Sequence, residues 1–362
     1  MKDVKIRSNE ISEITKKEEI LRQYREFVGR KLLFIFSCIV LTIIVASISA
    51  TLGSYQISFP EVYSIIWNGL FKKPETPKEL VVWNLRLPRI LMGILAGAGL
   101  AIAGCTTQGI LRNPLASPYT LGISAGASFG AALAILLGKG IVGGKYLIIV
   151  NAFLFSLIPT FVVVGISRFR RATPETMILT GIAMVYIFSA ATTLLMYFSE
   201  AEAVKEAYFW IVGDLGKVSW DAIPLVFFIL IACFLILLRK SWDINIMGAG
   251  DEVAKSLGVN VERDRILIMV IASFLTSSIV CFTGAIGFIC LVAPHMARIV
   301  IGDDHRFLIP ASGAVGGALL LTCDTIARRI IAPVILPVGV VTSFLGGPLF
   351  LYLILKKRKE YW

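Results

Sequence analysis

The stretch 266-ILIMVIASFLTSSIVCFTGAIGFICLVAPHMARIVI-301 decides how many times the chain crosses a membrane. It is apolar almost throughout, and it is too long for a single helix across a hydrocarbon core of about 30 Å. The cluster 284-GAIG-287 is the only plausible turn inside it, because glycine clusters interrupt helices. We therefore predict two spans here, at 266–283 and 286–301.

Further apolar runs lie on both sides of this stretch. Of the 362 residues, 57% are hydrophobic and 16% are charged, whereas a soluble domain carries about 25% charged residues. With the two spans above, the runs number ten, so the sequence predicts an all-α polytopic membrane protein with about ten transmembrane helices. The other predicted spans are 32–52, 90–110, 120–138, 146–166, 177–197, 221–238, 308–327 and 336–355.

Lysine and arginine residues predict the orientation of these spans. They concentrate in short segments such as 167-SRFRRA-172, and basic loops stay on the cytoplasmic side. This distribution, and not nucleic-acid binding, accounts for the net charge of +11. We expect a protein of the cell (inner, cytoplasmic) membrane with both termini cytoplasmic. It would comprise a charged segment at 1–31, a ten-helix domain at 32–355 and a basic tail at 356–362, with the charged segment lying on the membrane surface as an amphipathic helix.

Motifs for catalysis and metal binding are missing from the sequence. The nearest match to a phosphate-binding loop, 138-GKGIVGGK-145, lacks the first glycine of that motif and has Tyr146 where Ser or Thr is needed. His295 and His305 are too few for a metal site, and the six cysteines fall in apolar runs without CxxC spacing. We therefore expect no enzyme activity, no catalytic residue, no metal and no cofactor bound by this chain.

A polar, proline-rich stretch, 107-TQGILRNPLASPYTLGISAGAS-128, separates the second and third apolar runs. The residue before a proline avoids the α region, so Asn113-Pro114 should end the helix. Backbone left unpaired at membrane depth must be buried in protein or line a watery cavity. The stretch predicts a constriction at the inner mouth of a pathway, with a plain loop outside the membrane as the alternative. Gln108 and Arg112 are expected to reach the inner interface, and the alternative role for Arg112 is only to extend its guanidinium toward lipid headgroups.

Four arginines lie on the side where the orientation rule disfavours positive charge. Arg86 and Arg89 precede the second span, and Arg328 and Arg329 follow the ninth. Paired surface arginines suit the docking of a soluble partner that presents carboxylates. The alternative is a structural role, in which one of them pairs with Asp324.

The longest inner loop, at about 240–264, contains the sequence 251-DEVAKSLGV-259. Asp251 and Glu252 favour the start of a helix, and Gly258 favours its end. A helix this short is unstable by itself. It must therefore dock either on its own bundle or on a cytoplasmic partner.

Five stretches of the sequence together match the sequence motifs of one known family. They are 84-NLRLPR-89, 96-AGAGLAIAGCTTQGILRNPLASPYTLGISAGA-127, 250-GDEVAKSLGV-259, 284-GAIGFICLVAPHMARIVIGDDHR-306 and 336-LPVGVVTSFLGGPLFLYLI-354. Through them the chain resembles the FecCD-type permease subunits of ATP-binding-cassette (ABC) importers for iron-siderophores, haem and vitamin B12. The resemblance covers roughly residues 30–358. It implies a type II ABC importer permease fold and a homodimer with the translocation path along the dimer interface.

The resemblance also implies partners and residue roles. Two ATPase subunits would dock on the cytoplasmic side and use ATP and Mg²⁺, and an extracytoplasmic substrate-binding protein would dock outside. The implied docking residues are Arg86, Arg89 and Arg328. The implied cytoplasmic gate is Asn113, Pro114, Leu115, Pro174 and Glu175. The implied ATPase-coupling residues are Gly250, Asp251, Glu252, Ala254, Lys255, Leu257 and Gly258.

The predicted function is the permease subunit of an ATP-driven importer of a metal chelate. The chelate stays open between iron-siderophore, haem and cobalamin, with an oxyanion as a further possibility, because selectivity resides mostly in the binding protein. The alternative is a secondary transporter working without an ATPase. Such transporters use acidic or histidine relays within their spans, and Asp324 is the only acidic candidate well inside a run. A membrane enzyme would need a nucleophile or a metal set that the sequence lacks.

Overall fold

The structure, a computed structural model, describes residues 2–356 apart from residues 54, 56, 170–172 and 333. The basic tail predicted at 356–362 lies outside the described residues beyond its first position. The basic loop at 167–172 lies outside them in its second half. All regular secondary structure in the described part is helical, which confirms the all-α prediction.

Seven helices of the described chain are long and apolar enough to cross a membrane, and three shorter apolar helices accompany them. They coincide with the ten predicted runs, which confirms the polytopic fold. The long helices are α1 (Lys2–Thr51), α4 (Leu87–Leu111), α6 (Leu147–Phe169), α7 (Pro174–Tyr197), α9 (Ala222–Arg239), α12 (Val261–Thr283) and α14 (His305–Ala327). The shorter apolar helices are α5 (Ile123–Leu137), α13 (Ile289–Ile301) and α15 (Val338–Lys356). The remaining helices are α2 (Phe59–Gly69), α3 (Pro77–Leu80), α8 (Ala201–Ile211), α10 (Ser241–Gly248) and α11 (Asp251–Ser256).

The loop predicted between the first two spans is largely helical. It holds α2 and α3, and a π-helical turn at Val81–Arg86 continues directly into α4. α3 begins with a capping box, in which Thr76 and Glu79 each accept a hydrogen bond from the backbone N–H of the other. Such a box satisfies two backbone donors that the helix start leaves unpaired. Arg86 therefore directly precedes α4, and the backbone on both sides of it is helical.

The break predicted inside the long apolar stretch is confirmed. α12 ends at Thr283 and α13 begins at Ile289. Gly284 has a φ of 70°, and a Cβ added there would lie 2.3 Å from the carbonyl oxygen of Trp210, so only glycine fits. Phe288 is also left-handed, with a φ of 68°, which is rare for a bulky residue. We call residues 284–288 the glycine elbow.

The central helices of the bundle are α4, α12 and α14. Buried residues make up 78% of the most apolar window of the span that ends with α4 and only 22% of that in α7. Gly97 of α4 touches Gly316 of α14, and a Cβ on either would lie 2.3 Å from the carbonyl oxygen of the other. Small residues let transmembrane helices approach this closely. α4 is therefore held tightly within the bundle, whereas α7 keeps an open face.

The N-terminal segment continues into the first span without a break. α1 runs as one helix from Lys2 to Thr51, about 75 Å long at 1.5 Å per residue. The predicted helicity of residues 1–31 is thus observed, but the segment does not turn aside as a helix lying flat on a membrane would. The physical reason is that the sequence has no proline there, and Gly29 alone costs a helix only about 1 kcal/mol. Lys31 is buried over the ring of Phe307, with its Nζ 4.7 Å from the ring centroid, and so fixes α1 to α14.

Polar residues gather at the two ends of α4. We call the end that holds Arg86, Arg89 and Arg328 the arginine end. We call residues 112–122 the proline elbow. The other end of α4 holds the proline elbow and α11, and we call it the elbow end. The two are separated by the length of α4, about 37 Å for its 25 residues.

Candidate functional site

The proline elbow begins where the sequence predicts the helix to end. α4 stops at Leu111, and Arg112 adopts a left-handed conformation with a φ of 47°. The side chain of Asn113 turns back and accepts a hydrogen bond from the N–H of Leu115 at 2.9 Å. The only helical part of the elbow is the short 3₁₀ turn Pro118–Leu121, which a Ser117–Thr120 capping box starts. The elbow is thus a defined, non-α segment between α4 and α5.

The proline elbow forms one wall of an apolar cavity of about 710 Å³. α7 forms the second wall with Ile178, Ile182 and Tyr186, and the start of α13 forms the third. Asn113 and Leu115, two of the predicted gate residues, line the cavity. The side of the cavity along α7 is open, since Ile182 and Tyr186 are 43% and 73% exposed.

The other predicted gate residues lie close to this cavity. Pro174 is buried at the first position of α7, and Glu175 follows it with an exposed side chain. Pro114 lies in the proline elbow and is partly buried. α7 is fitted to the elbow through Gly181, because a Cβ there would lie 2.6 Å from the carbonyl oxygen of Thr120. Of the two predicted gate segments, 113–115 thus lines the cavity, whereas 174–175 lies one turn before Ile178, the first residue of α7 that lines it.

The glycine elbow closes the cavity on the third side. Gly287 and Phe288 line it, and the side chain of Phe288 packs on α15 at Gly346, where an added Cβ would lie 2.6 Å from the Phe288 Cβ. The hydroxyl of Tyr119, from the proline elbow, accepts a hydrogen bond from the N–H of Ile286 at 3.2 Å. The two elbows thus satisfy each other's polar groups, as non-helical backbone at membrane depth requires.

Gln108, predicted from the sequence to reach the inner interface, lies about one turn before the end of α4. It is fully buried in α4 and accepts a hydrogen bond from Arg298 Nη1 at 3.1 Å. The reason is that α13 packs against this part of α4, where a Cβ added at Gly104 would lie 1.9 Å from the Cys290 carbonyl oxygen. The amide of Gln108 therefore serves the packing of α4 on α13.

At the arginine end, Arg86 is held by backbone carbonyls. Its Nη1 donates to the carbonyl oxygens of Ala50 at 2.6 Å and Thr51 at 3.1 Å, and its Nη2 donates to that of Tyr55. The first two acceptors belong to the last turn of α1, whose final carbonyls have no partner within the helix. Arg86 therefore caps α1 and joins it to α4.

Arg89 and Arg328 share one carboxylate. Arg89 Nε donates to both oxygens of Asp324, at 2.9 and 3.1 Å, and its Nη2 lies 3.5 Å from Asp214. Arg328 Nε lies 3.1 Å from Asp324, and its Nη1 donates to the Leu52 carbonyl oxygen. The structural pairing with Asp324, foreseen for one arginine, is found for two. Asp214, the further partner of Arg89, was not predicted from the sequence.

The three predicted docking arginines line a single cavity of about 780 Å³ at this end. Arg86, Arg89 and Arg328 are only 5%, 7% and 8% exposed. Two further basic residues, Lys217 and Arg329, line the same cavity and are exposed. With Asp214 and Asp324 as the acidic groups beside them, the cavity carries a surplus of positive charge.

At the elbow end, the predicted helix of the long loop is present as α11. It begins after Gly250, carries Asp251 and Glu252 in its first turn, and is closed by Gly258 with a φ of 87°. Ala254 is fully buried against the bundle. The opposite face carries Glu252 and Lys255 together with Val253 and Leu257, which are 46% and 64% exposed. One face of α11 is thus docked, and the other, partly apolar face is open.

α10 precedes α11 and was not foreseen from the sequence. Its Asn245 donates to the Asp304 carboxylate at 2.9 Å and accepts from the N–H of His305 at 2.8 Å. Its Trp242 lies under the guanidinium of Arg306, at 4.2 Å from the ring centroid. These contacts fasten α10 to the turn between α13 and α14, so the loop that carries α11 is anchored at its start.

The described part of the chain shows neither a cluster of metal ligands nor a disulfide. Among its residues, no group of three or more His, Cys, Asp or Glu side chains is placed to hold a metal ion. The cysteines are free and, apart from the half-buried Cys38, buried. They act there as small apolar packing residues.

Known proteins resemble the chain over nearly its whole length. A Methanocaldococcus jannaschii protein described as an ABC transporter permease is 44% identical over 94% of this chain and 99% of its own. The hemin transport system permease protein HmuU of Yersinia pestis is 35% identical over 89% of this chain and 95% of its own. A solved structure described as a metal-chelate type ABC transporter in an inward-facing conformation aligns with a TM-score of 0.79 and 31% identity, over 89% of this chain and 99% of that chain.

These similarities agree with the helices, the elbows and the two polar ends described above. Relatives of this identity and coverage share the fold of the chain, and the multi-span helical bundle is that of a membrane-embedded ABC permease of the metal-chelate type. The model of the FecCD transport family matches residues 40–356. The chain therefore belongs to the FecCD transport family.

Proposed function

We propose that this chain is the membrane subunit of an ATP-driven importer that translocates a metal chelate. In this proposal two copies form a homodimer, two ATPase subunits dock at the elbow end, and an extracytoplasmic binding protein delivers the chelate at the arginine end. Both termini are then cytoplasmic. The observation that supports it most is the apolar cavity of about 710 Å³, half enclosed by the two elbows and open along α7.

The open side of this cavity supports a pathway shared between two copies. Exposed apolar residues of α7, such as Ile182 and Tyr186, form its rim. A second copy would complete the wall and enclose a space suited to a bulky, rigid ligand. Because the lining is largely apolar, the chelate would bind weakly and could leave again. Asn113, Pro114, Leu115, Pro174 and Glu175 would then form the gate at its cytoplasmic mouth.

The open face of α11 supports docking of the ATPase. Val253 and Leu257 are apolar and exposed on a loop, where burial against a partner is favourable. Glu252 and Lys255 flank them and can take part in polar contacts. Gly250 and Gly258 set the ends of the helix, and Ala254 and Asp251 hold its back to the bundle. ATP and Mg²⁺ would be bound by the ATPase, and this chain would hold no cofactor.

The surplus positive charge at the arginine end supports docking of a protein with acidic side chains. A cavity lined by charge of one sign focuses the field and attracts the opposite charge. Arg86, Arg89 and Arg328 supply the field from inside the cavity. Lys217 and Arg329 extend it to the exposed rim.

The structure gives little support to the alternative of a transporter working without an ATPase. That mechanism needs an acidic residue free to bind the driving ion within the membrane. Asp324, the candidate, is fully buried and bound by two arginines. Its charge is therefore already neutralised by the protein itself.

Reconstitution in proteoliposomes tests the proposal. The permease is combined with its ATPase and its binding protein, and uptake of a radiolabelled ferric siderophore, haem or cobalamin is measured with and without ATP. We expect uptake that requires ATP, the ATPase and the binding protein together. Uptake driven by an ion gradient in vesicles containing the permease alone would contradict the proposal and establish the secondary transporter.

A further inference from the structure

We propose that Asp251 links the ATPase-facing helix α11 to the gate, by holding Arg112 of the proline elbow. This inference rests on the proposed function, since it assigns the path by which motion at α11 reaches the gate. Asp251 Oδ1 accepts a hydrogen bond from Arg265 Nη2 at 2.8 Å and lies 3.3 Å from Arg112 Nη2. One carboxylate on a short helix thus contacts two cations on two different segments of the bundle.

Arg265 provides the fixed side of this arrangement. It is the fifth residue of α12 and is 1% exposed. Its Nε donates to the carbonyl oxygen of Ile110 at 3.1 Å, which is one of the last carbonyls of α4 and lacks a helical partner. Arg265 therefore ties α12, the end of α4 and α11 together at one point. Leaving a buried charge such as that of Arg265 without its partner is costly, so this tie is expected to persist.

Arg112 provides the movable side. It is the first residue of the proline elbow, and its side chain is 32% exposed. Its guanidinium contacts Asp251 of α11. It therefore does more than extend toward lipid headgroups, which was the alternative role left open by the sequence. A left-handed conformation is unfavourable for a residue such as arginine. The contact with Asp251 adds to the hydrogen bond from the Arg112 N–H to the Gly109 carbonyl oxygen in holding the elbow in this conformation.

The proline elbow also contacts α7, the helix that carries the other gate segment. A Cβ added at Gly181 of α7 would lie 2.6 Å from the carbonyl oxygen of Thr120. Movement of α11 away from the bundle would weaken the Asp251 contact and release Arg112. The proline elbow would then be free to shift against α7.

The test uses the reconstituted complex and two readouts from the same vesicles, ATP hydrolysis and uptake. Arg112→Asn removes the cation and keeps a residue that tolerates the left-handed conformation. We expect ATP hydrolysis to continue and the uptake per ATP hydrolysed to fall about tenfold, the usual size of a coupling effect. Arg112→Lys keeps the charge and should retain part of the coupling.

A double-variant cycle separates the link from a merely structural role. Asp251→Asn should lower the same ratio, although it also removes the contact with Arg265. Asp251→Asn combined with Arg112→Asn should be no worse than the stronger single variant, because each single variant already removes the contact between Asp251 and Arg112. The matched control is Glu61→Gln, which removes an ion pair with Lys78 in the segment between α1 and α4. It should leave the ratio unchanged.

Three results would overturn the inference. An unchanged ratio in Arg112→Asn would show that the gate is driven elsewhere. A proportional loss of hydrolysis and uptake would assign Arg112 to assembly, and additive losses in the double variant would separate Asp251 from Arg112. In each case ATP-driven uptake by the unsubstituted protein would keep the proposed function intact. Absence of that uptake would overturn the proposed function and the inference with it.

Discussion

The two ends of α4 carry charged clusters that are built in different ways. At the arginine end, three arginines are at most 8% exposed, and each is bonded to backbone carbonyls or to a buried carboxylate. At the elbow end, the side chains of Arg112 and Asp251 are 32% and 27% exposed. Breaking a buried ion pair costs about 3–5 kcal/mol, whereas an exposed pair contributes about 0–1 kcal/mol. The arginine end is therefore fixed, whereas the contact between Arg112 and Asp251 at the elbow end can open at little cost.

This contrast changes how the arginines of the sequence are interpreted. Arg86, Arg89 and Arg328 fasten α1, α4 and α14 to one another as well as facing the cavity. The positive residues that a partner can reach most directly are Lys217 and Arg329. At the other end, Arg112 holds α11 and not a lipid headgroup. Arginines thus hold helices together at the arginine end, whereas Arg112 connects the proline elbow to α11 at the elbow end.

The largest expected effect is at the fixed end. Asp324→Ala would leave Arg89 and Arg328 buried without their shared carboxylate, and it should lower the free energy of unfolding by about 3–5 kcal/mol. Thermal unfolding in detergent measures this loss. The control is Ile326→Ala, on the exposed side of the same helix, which should have a much smaller effect. A loss below about 1 kcal/mol for Asp324→Ala would contradict a fixed arginine end.

The next effect should appear in acid at the elbow end. Burial works to raise the pKa of the Asp304 carboxyl, but hydrogen bonds from Arg306 and Asn245 outweigh it and lower the pKa to about 2. Because the folded pKa is depressed, this carboxylate stabilises the fold fully above about pH 4 and loses its contribution as the pH falls toward 2. The contribution is about 2 kcal/mol.

Unfolding midpoints of the unsubstituted protein and of Asp304→Asn, compared between about pH 6 and pH 2, check this dependence. The difference between the two proteins should shrink as the pH falls. A difference that stays constant would mean that Asp304 does not titrate in this range, which would contradict the lowered pKa of its carboxyl.

A smaller effect on stability is expected at the movable link. Arg112→Asn should lower the free energy of unfolding by less than about 1 kcal/mol, because the pair with Asp251 is partly exposed and Asp251 keeps Arg265. The same thermal measurement gives the value. A loss as large as that of Asp324→Ala would show that Arg112 is a fastener too, and the contrast between the two ends would disappear.

The smallest effect on stability should come from the exposed rim of the arginine end. Lys217→Glu with Arg329→Glu should change the free energy of unfolding by no more than about 0.5 kcal/mol. Association of the binding protein should become several-fold slower and lose much of its salt dependence. Surface plasmon resonance at low and high salt measures both. The control is Lys139→Glu, exposed beyond α5, and equal slowing by the control would contradict docking at this rim.

Most of the fold could be predicted because it follows from local pattern. Apolar length fixed the spans, and the glycine cluster at 284–287 marked the break between α12 and α13. Asp251 and Gly258 marked the ends of α11. Each of these signals lies within a few residues of the feature that it predicts, so one sequence is sufficient to read it.

The partners within the site could not be predicted in the same way. Arg89 and Asp324 are 235 positions apart, and Arg265 and Ile110 are 155 apart. Nothing in one sequence says which of several arginines a carboxylate will meet after folding. The helix α10 was missed for a related reason. Its stabilising contacts, from Asn245 to the turn before α14, are long-range, and its own eight residues carry no clear helical period.

Distances measured between two copies in the reconstituted complex give the most direct test of a fixed arginine end and a movable elbow end. Spin labels at Leu115, in a background whose native cysteines are replaced, report on the elbow end, and labels at Lys217 report on the arginine end. Pulsed electron spin resonance compares the nucleotide-free and ATP-bound complexes. We predict that the distance between the Leu115 labels changes by several ångströms while that between the Lys217 labels changes less. An unchanged distance at Leu115, or a larger change at Lys217, would contradict a fixed arginine end and a movable elbow end.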